Sequence, residues 1–247
     1  MAAHYAHRPS YSKEVLRLQL SHVQKLTPEP RFADVGAGTG KLTEMLIKLG
    51  LRGYAIEPNA AMRGVGQRSI LPDNAVEWLP GSAEATGLAE QTVHWLLMAS
   101  AFHWTDPHRS LPEFRRVLKP GGYLTLLWNP RNLEGSALQK RIDALVHAIA
   151  PGIQRKSSGA REFTGHLERL LLESRCFEEV VFMEASHSEV MSRERYLGVW
   201  RSVNDIQVQA GPKRFAEIMT AIEREIEGMD RIEVPYRTRA WFARRVD

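Results

Sequence analysis

The stretch RFADVGAGTG, residues 31–40, decides the fold. Its apolar first half is typical of a buried strand, and glycines follow at positions 36, 38 and 40. The next segment, KLTEMLIKLG, carries apolar residues at helical spacing, and Gly50 stands where such a helix would stop. A strand, a glycine turn and a helix in this order predict a ligand lying close to the backbone at the carboxyl edge of a parallel sheet.

Asp34 indicates the charge of that ligand. A dinucleotide fingerprint would place a further glycine at position 41, where this chain has lysine. A carboxylate beside a pyrophosphate is unfavourable, so the ligand should present a cationic group. S-adenosylmethionine fits this requirement because it carries an ammonium and a sulfonium group, has no phosphate, and still offers an adenosine to the following strands.

Two further acids extend the pattern. Glu57 ends the second predicted strand about 20 residues after the glycine turn, where a carboxylate commonly holds ribose hydroxyls. It does not by itself distinguish S-adenosylmethionine from NAD. Glu84, in GSAEATGL after the third strand, can pair with the adenine amino group beside a backbone N–H. Each acid alone has an ordinary structural interpretation, as a cap or a loop carboxylate, but their joint placement favours the cofactor.

The length and the pattern of the whole chain predict one α/β domain. Its 247 residues are enough for one large core. Residues 31–129 alternate apolar strands with helices and form the predicted cofactor-binding core, whose fifth strand follows a turn at KPGG. Residues 130–230 are predicted to add helices and a loop, 151–166, that is either a lid for the acceptor or a surface connection. Residues 231–247 supply a final strand, in which Pro235 indicates an edge or a bulge.

The composition indicates the cellular compartment and the kind of partner to expect. The net charge of +4 comes from dispersed arginines, so no nucleic-acid partner is expected. The single cysteine, Cys176, suits a reducing compartment. No apolar run reaches the roughly 18 residues of a membrane span. We therefore expect a cytoplasmic protein with a small-molecule partner and assign no metal ligands; the oligomeric state stays open.

The segments DVGAGTGKLT, GYAIEPNAAM, GSAEATGL, AFHW and EFRRVLKPGG together resemble the class I S-adenosylmethionine-dependent methyltransferases. Within that family the chain looks most like the small-molecule branch typified by trans-aconitate methyltransferases, through RPSY near the start and VPYRTRAWFARR at the end. The resemblance implies a Rossmann-like, doubly wound, seven-stranded, mainly parallel sheet. It also implies an antiparallel last strand and helical insertions after strands five and six.

The resemblance also implies roles for particular residues. Asp34, Gly36, Ala37 and Gly38 would line the methionyl and ribose region, and Glu57 would hold the ribose hydroxyls. The remaining positions concern adenine and the ammonium group: Pro58 flanks adenine, Ala83 and Glu84 pair with it, and the Ala99 carbonyl accepts from the ammonium.

Methyl transfer is an in-line displacement in which proximity and alignment can supply most of the acceleration, so a base is optional. His103 in AFHWTD is the predicted base for a hydroxyl acceptor; otherwise it shapes the pocket. The segment YAHRPSY is either a flap that brings Tyr5, Arg8 and Tyr11 over the cofactor or an ordinary helix lead-in. Possible acceptor contacts in the lid and the later helices are Lys156, His166, Trp200 and Arg201. An acidic acceptor would favour an arginine clamp, for which Arg8, Arg201 and Arg237 are possible donors.

Three other functions are also compatible with parts of the sequence. A nicotinamide-dependent oxidoreductase shares the sheet and Glu57 but leaves Asp34 and Lys41 unexplained. A macromolecular methyltransferase is compatible with the charge alone, although the chain has no Asn-Pro-Pro-aromatic tetrapeptide. A protein that binds S-adenosylmethionine without turnover is also possible, because catalysis needs few fixed residues.

Overall fold

The structure is a computed structural model, which describes residues 7–70, 75–154, 159 and 164–247. These residues form a seven-stranded sheet in the order β3-β2-β1-β4-β5-β7-β6. Strand β7 runs antiparallel to both of its neighbours, whereas strands β1 to β5 pair in parallel. The predicted Rossmann-like α/β fold is thereby confirmed. The strands are β1 Arg31–Val35, β2 Arg52–Ile56, β3 Val76–Leu79, β4 Val93–Ala99, β5 Leu118–Trp128, β6 Phe177–Met191 and β7 Ile232–Arg245.

Helices connect the strands of the first half and occupy the two insertions. Asn59 caps the glycine-containing helix after β2 by accepting hydrogen bonds from the N–H groups of Ala61 and Met62. Gly50, at φ +83°, follows the helix after the glycine turn. The helices are α1 Lys13–Val23, α2 Lys41–Lys48, α3 Ala60–Ser69, α4 Pro107–Val117, α5 Ala137–Ile149, α6 Leu167–Glu173, α7 Arg193–Arg201 and α8 Asn204–Glu225. Helices α5 and α6 follow β5, and α7 and α8 follow β6, as predicted.

Three details differ from the sequence prediction. No helix lies between β3 and β4, where residues 80–92 form a loop. The KPGG segment belongs to β5 itself, as an irregularity between the Val93–Leu118 and Trp95–Tyr123 pairs. Strand β7 is internal rather than at the edge of the sheet. Pro235 is tolerated because it lies where β7 extends past the paired length of β5 and keeps regular strand pairing only with β6.

Apolar packing covers both faces of the sheet. One face packs against α4 and α6, whose Phe114 and Leu171 are fully buried beside Trp128 and Trp241. The opposite face packs against α1 and α2. A further apolar cluster joins α5, α7 and α8 to the start of β7. This arrangement leaves the carboxyl edge of the parallel strands available for a site, beside the helical insertions. In the described part of the chain no helix has the length and apolar character that crossing a membrane requires.

Candidate active site

The glycine turn after β1 adopts a backbone that only glycine accommodates easily. Gly36, Gly38 and Gly40 have φ values of +70°, +60° and +85°. A Cβ atom on Gly36 would lie 2.9 Å from Ala101 Cβ. The turn is also fastened to β2, because the N–H groups of Gly36 and Ala37 both donate to the Ile56 carbonyl, at 2.8 and 3.0 Å.

Asp34 places a buried carboxylate beneath this turn. Its side chain is fully buried, and its Oδ2 accepts a 2.6 Å hydrogen bond from Thr43 Oγ1 at the start of α2. Oδ1 has no hydrogen-bond partner in the described structure. Burial raises the pKa of Asp34 to about 7, more than the hydrogen bonds of Thr43 lower it. An uncompensated acceptor of this kind favours a cationic neighbour.

Glu57 connects β2 to the glycine turn. One carboxylate oxygen accepts from the Gly38 N–H at 2.9 Å, and the other accepts from the Asn59 N–H at 2.8 Å. The side chain is buried, whereas Pro58 beside it is exposed. The structure therefore brings Asp34, Gly38 and Glu57 to one place at the carboxyl edge.

The loop after β3 places Ala83 and Glu84 beside the segment that precedes α4. Ala83 is buried. Glu84 accepts hydrogen bonds from Ser82 Oγ and from the Asp106 N–H, both at 3.0 Å. Desolvation alone would raise the pKa of Glu84, but these hydrogen bonds and the nearby Arg109 outweigh it and lower that pKa. Glu84 is thus ionised and already bonded; its pairing with adenine stays a prediction.

Tyr11 reaches the same edge from the N-terminal segment. Its hydroxyl lies 3.2 Å from Ser100 Oγ, in the residue that follows Ala99 at the end of β4. Burial raises the pKa of Tyr11 to about 12, and the nearby Asp34 carboxylate adds to this against the hydrogen bond with Ser100. Tyr11 is therefore neutral, and its hydroxyl lies at the end of β4.

His103 lies in the short 3₁₀ turn Phe102–Trp104 after β4. Trp128 Nε1 donates a long hydrogen bond of 3.5 Å to His103 Nδ1, so the neutral ring carries its proton on Nε2. Burial lowers the pKa of His103. Trp104 beside it leaves 82% of its surface exposed, next to the same edge.

The residues predicted to contact the methyl acceptor do not lie together in the structure. Arg8 Nη2 donates to the Ser202 carbonyl at 3.0 Å, and Arg201 pairs with Glu223 at 3.1 Å. Trp200 is buried in the helical insertion and His166 immediately precedes α6, whereas Arg237 lines a cavity beside β5. Tyr5, Lys156 and half of the predicted loop 151–166 lie outside the described residues.

Several contacting residues escaped the sequence analysis. Thr43, which bonds Asp34, lies in the first turn of α2, a position from which a hydroxyl reaches the preceding strand. Ser100 carries no sequence signal of this kind, because its contact with Tyr11 joins segments that are distant in sequence.

The strand order, the antiparallel β7 and a buried carboxylate beneath a glycine turn define the class I S-adenosylmethionine-dependent methyltransferase fold, as predicted. Residues 33–126 match the family model described as a methyltransferase domain. The cofactor of that class is S-adenosylmethionine. The trans-aconitate branch stays a resemblance.

Individual relatives agree with this assignment. Over 125 residues the chain is 42% identical to an uncharacterized methyltransferase of Mycobacterium tuberculosis, covering 51% of this chain and 48% of that protein. The chain thus matches about half the length of that relative. An uncharacterized methyltransferase of Schizosaccharomyces pombe is 26% identical over 85% of this chain and 80% of its own length. A solved structure from Anaeromyxobacter dehalogenans, provisionally named a type II methyltransferase, shares the fold with a TM-score of 0.69 and 22% identity, over 96% of this chain and 97% of that one.

Proposed function

We propose that this protein transfers the methyl group of S-adenosylmethionine to a small-molecule acceptor. The observation that carries the proposal is the buried Asp34 carboxylate, whose Oδ1 lacks a partner in the described structure beneath a turn that only glycine accommodates easily. The donor set fits the chemistry of the cofactor: Asp34 offers a negative charge to its cationic part, and Glu57 and Glu84 offer acceptors to its ribose and adenine. Bound there, the cofactor supplies an activated methyl group.

The hydrogen bonds of the glycine turn disfavour the oxidoreductase alternative. A dinucleotide site needs free backbone N–H groups to cradle the pyrophosphate. Here the N–H groups of Gly36 and Ala37 donate to Ile56, and that of Gly38 donates to the Glu57 carboxylate. Two carboxylates next to the turn would also repel phosphate.

Positioning is the main task of the chain in this reaction. Hydrogen bonds that join β1, α2 and the end of β2 fix Asp34, the glycine turn and Glu57. Little ordering is therefore required when the cofactor binds. Tyr11 and Ser100 form a neutral, hydrogen-bonded boundary at the end of β4. These residues hold the reactants in line and exclude water from one side.

The role of His103 as base is compatible with its lowered pKa, which keeps the imidazole neutral at pH 7. Its hydrogen bond from Trp128 leaves Nε2 as a donor, so accepting a proton requires release of the long contact at Nδ1. An acceptor that is already ionised needs no base. His103 then orients the acceptor by donating from Nε2.

Calorimetric titration of the full chain with S-adenosylmethionine, S-adenosylhomocysteine and NADH tests the cofactor. We expect both adenosyl compounds to bind with Kd values of about micromolar order, and NADH not to bind. Release of S-adenosylhomocysteine in an acceptor screen of carboxylates, phenols and amines then distinguishes the enzyme from a protein that only binds the cofactor. Salt-sensitive RNA binding would instead favour a macromolecular acceptor.

A further inference from the structure

A cavity of about 160 Å³ lies beyond the end of β5, between β5, β6 and β7. Its volume is about ten times the roughly 15 Å³ that one water requires, so it can hold a group of several atoms. Three arginines line it, Arg131, Arg237 and Arg239, together with one acid, Glu184. The charges of these lining side chains therefore sum to a positive value.

Glu184 pairs with two of these arginines. Its Oε2 lies 3.1 Å from Arg239 Nε, and its Oε1 lies 3.6 Å from Arg237 Nε. Arg239 is the buried wall of the cavity, since its Nη1 also donates to Gly159 O at 2.6 Å and Thr164 Oγ1 at 2.9 Å. Arg237 keeps 36% of its side chain exposed and can turn its guanidinium towards an incoming anion.

Arg131 is held in place by aromatic contacts. Its guanidinium carbon lies 4.2 Å from the centre of the Trp200 ring and 6.0 Å from that of Tyr196. A stacked guanidinium has lost much of its rotational freedom, so it binds an oxyanion at a lower entropic cost than a mobile lysine does. The cavity thus combines one guanidinium held in place, that of Arg131, with one that can move, that of Arg237.

A row of paired residues connects the cavity to the candidate active site. Trp128, Arg239 and Glu184 stand in one row of paired residues across β5, β7 and β6. Trp128 in turn donates to His103, which follows β4. Neighbouring strands are about 4.8 Å apart, and β7 is two strands away from β4. Arg239 on β7 therefore lies roughly 10 Å from the end of β4.

We propose that this arginine-lined cavity binds an oxyanion group, carboxylate or phosphate, belonging to the methyl acceptor. The proposal rests on the proposed methyltransferase function. The bound oxyanion anchors the acceptor roughly two strand spacings from the edge where the methyl group is delivered, so the methylated atom and the anion are different parts of the molecule.

The test is calorimetric titration of the full chain with inorganic phosphate and, separately, with succinate, at constant ionic strength. Titrations are run with and without S-adenosylhomocysteine. Arg237→Gln removes a lining charge, and Arg169→Gln on α6, also paired with a glutamate, is the matched surface control. We expect binding to weaken about tenfold or more in Arg237→Gln and to stay unchanged in Arg169→Gln. The tighter of the two probes identifies the oxyanion.

Glu184→Gln adds a sign test, because removal of the lining carboxylate makes the cavity more positive and should tighten binding several-fold. Equal affinities in Arg237→Gln and Arg169→Gln, or no binding of either probe in either cofactor state, overturn the proposal. Failure of S-adenosylhomocysteine to bind, with Arg237-dependent anion binding intact, removes the acceptor role and contradicts the proposed function instead.

Discussion

The carboxylate of Glu57 accepts a hydrogen bond from the Gly38 N–H at 2.9 Å, so the acid that ends β2 holds the glycine turn that follows β1. Its second oxygen holds the N–H of Asn59 at the start of α3. Glu57 therefore shapes the turn, and under the proposed function it also offers negative charge to a ribose, so its substitution should affect both.

Glu57→Gln should lower the free energy of unfolding by about 1–3 kcal/mol, because the amide keeps one acceptor oxygen and turns its NH₂ group towards a buried N–H donor. Affinity for S-adenosylhomocysteine should fall in the same variant. Urea denaturation and calorimetry measure the two effects. Glu77→Gln, at an exposed position on β3, is the control and should change neither. Equal results for the two variants would contradict the dual role.

Asp34→Asn should reduce affinity for S-adenosylmethionine about tenfold or more while leaving the fold intact. The amide oxygen still accepts from Thr43, and the cost of an ionised buried carboxyl at pH 8 disappears. Thermal unfolding and calorimetry at pH 8 test this, with Asp230→Asn, an exposed acid before β7, as control. Unchanged affinity in Asp34→Asn would remove Asp34 from the site.

Cofactor affinity should rise with pH up to about 7 and then level off. The pKa of Asp34 is raised from 3.8 to about 7 in the folded chain. The unliganded fold therefore binds an extra proton between these values, and its stability falls as pH rises through this window. A cationic ligand favours the ionised carboxyl, so binding at pH 6 should release protons. Calorimetry in two buffers of different ionisation enthalpy measures this release, which Asp34→Asn should abolish.

Gly36→Ala should destabilise the fold more than Gly50→Ala. Both positions have positive φ, so both variants suffer the same kind of backbone strain. Only at Gly36 does the added Cβ meet another atom, Ala101 Cβ at 2.9 Å, whereas the space around Gly50 is open. The difference between the two variants in urea denaturation therefore isolates the contact, and we expect about 1 kcal/mol or more. Cofactor affinity should fall only in Gly36→Ala.

His103→Gln should leave cofactor affinity unchanged and lower turnover of a hydroxyl acceptor. The wild-type rate should decline with acidity only below the ordinary imidazole pKa, because burial lowers the pKa of His103. Trp128→Phe removes the donor to Nδ1 and should move this inflection to higher pH. A pH profile of turnover that is the same in all three proteins would exclude His103 as base.

The local order of residues determined the sheet and the cofactor end of the site. Apolar strands, helical periodicity and glycines with Asp34 and Glu57 at strand ends are short-range signals, and parallel strands bring their carboxyl ends to one edge. This is why the sequence alone places Asp34, Gly38 and Glu57 together.

Only the tertiary structure decided the rest. The row of Trp128, Arg239 and Glu184 depends on the register of three strands that are distant in sequence, and nothing local sets that register. Likewise, the hydrogen bond from Thr43 to Asp34 and the contact of Tyr11 with Ser100 depend on how chain segments pack. The same holds for the position of Pro235 in an internal strand. The pattern of residue types along the chain determines the helices and strands and where they end. Contacts between these elements, in contrast, arise from packing of the whole core.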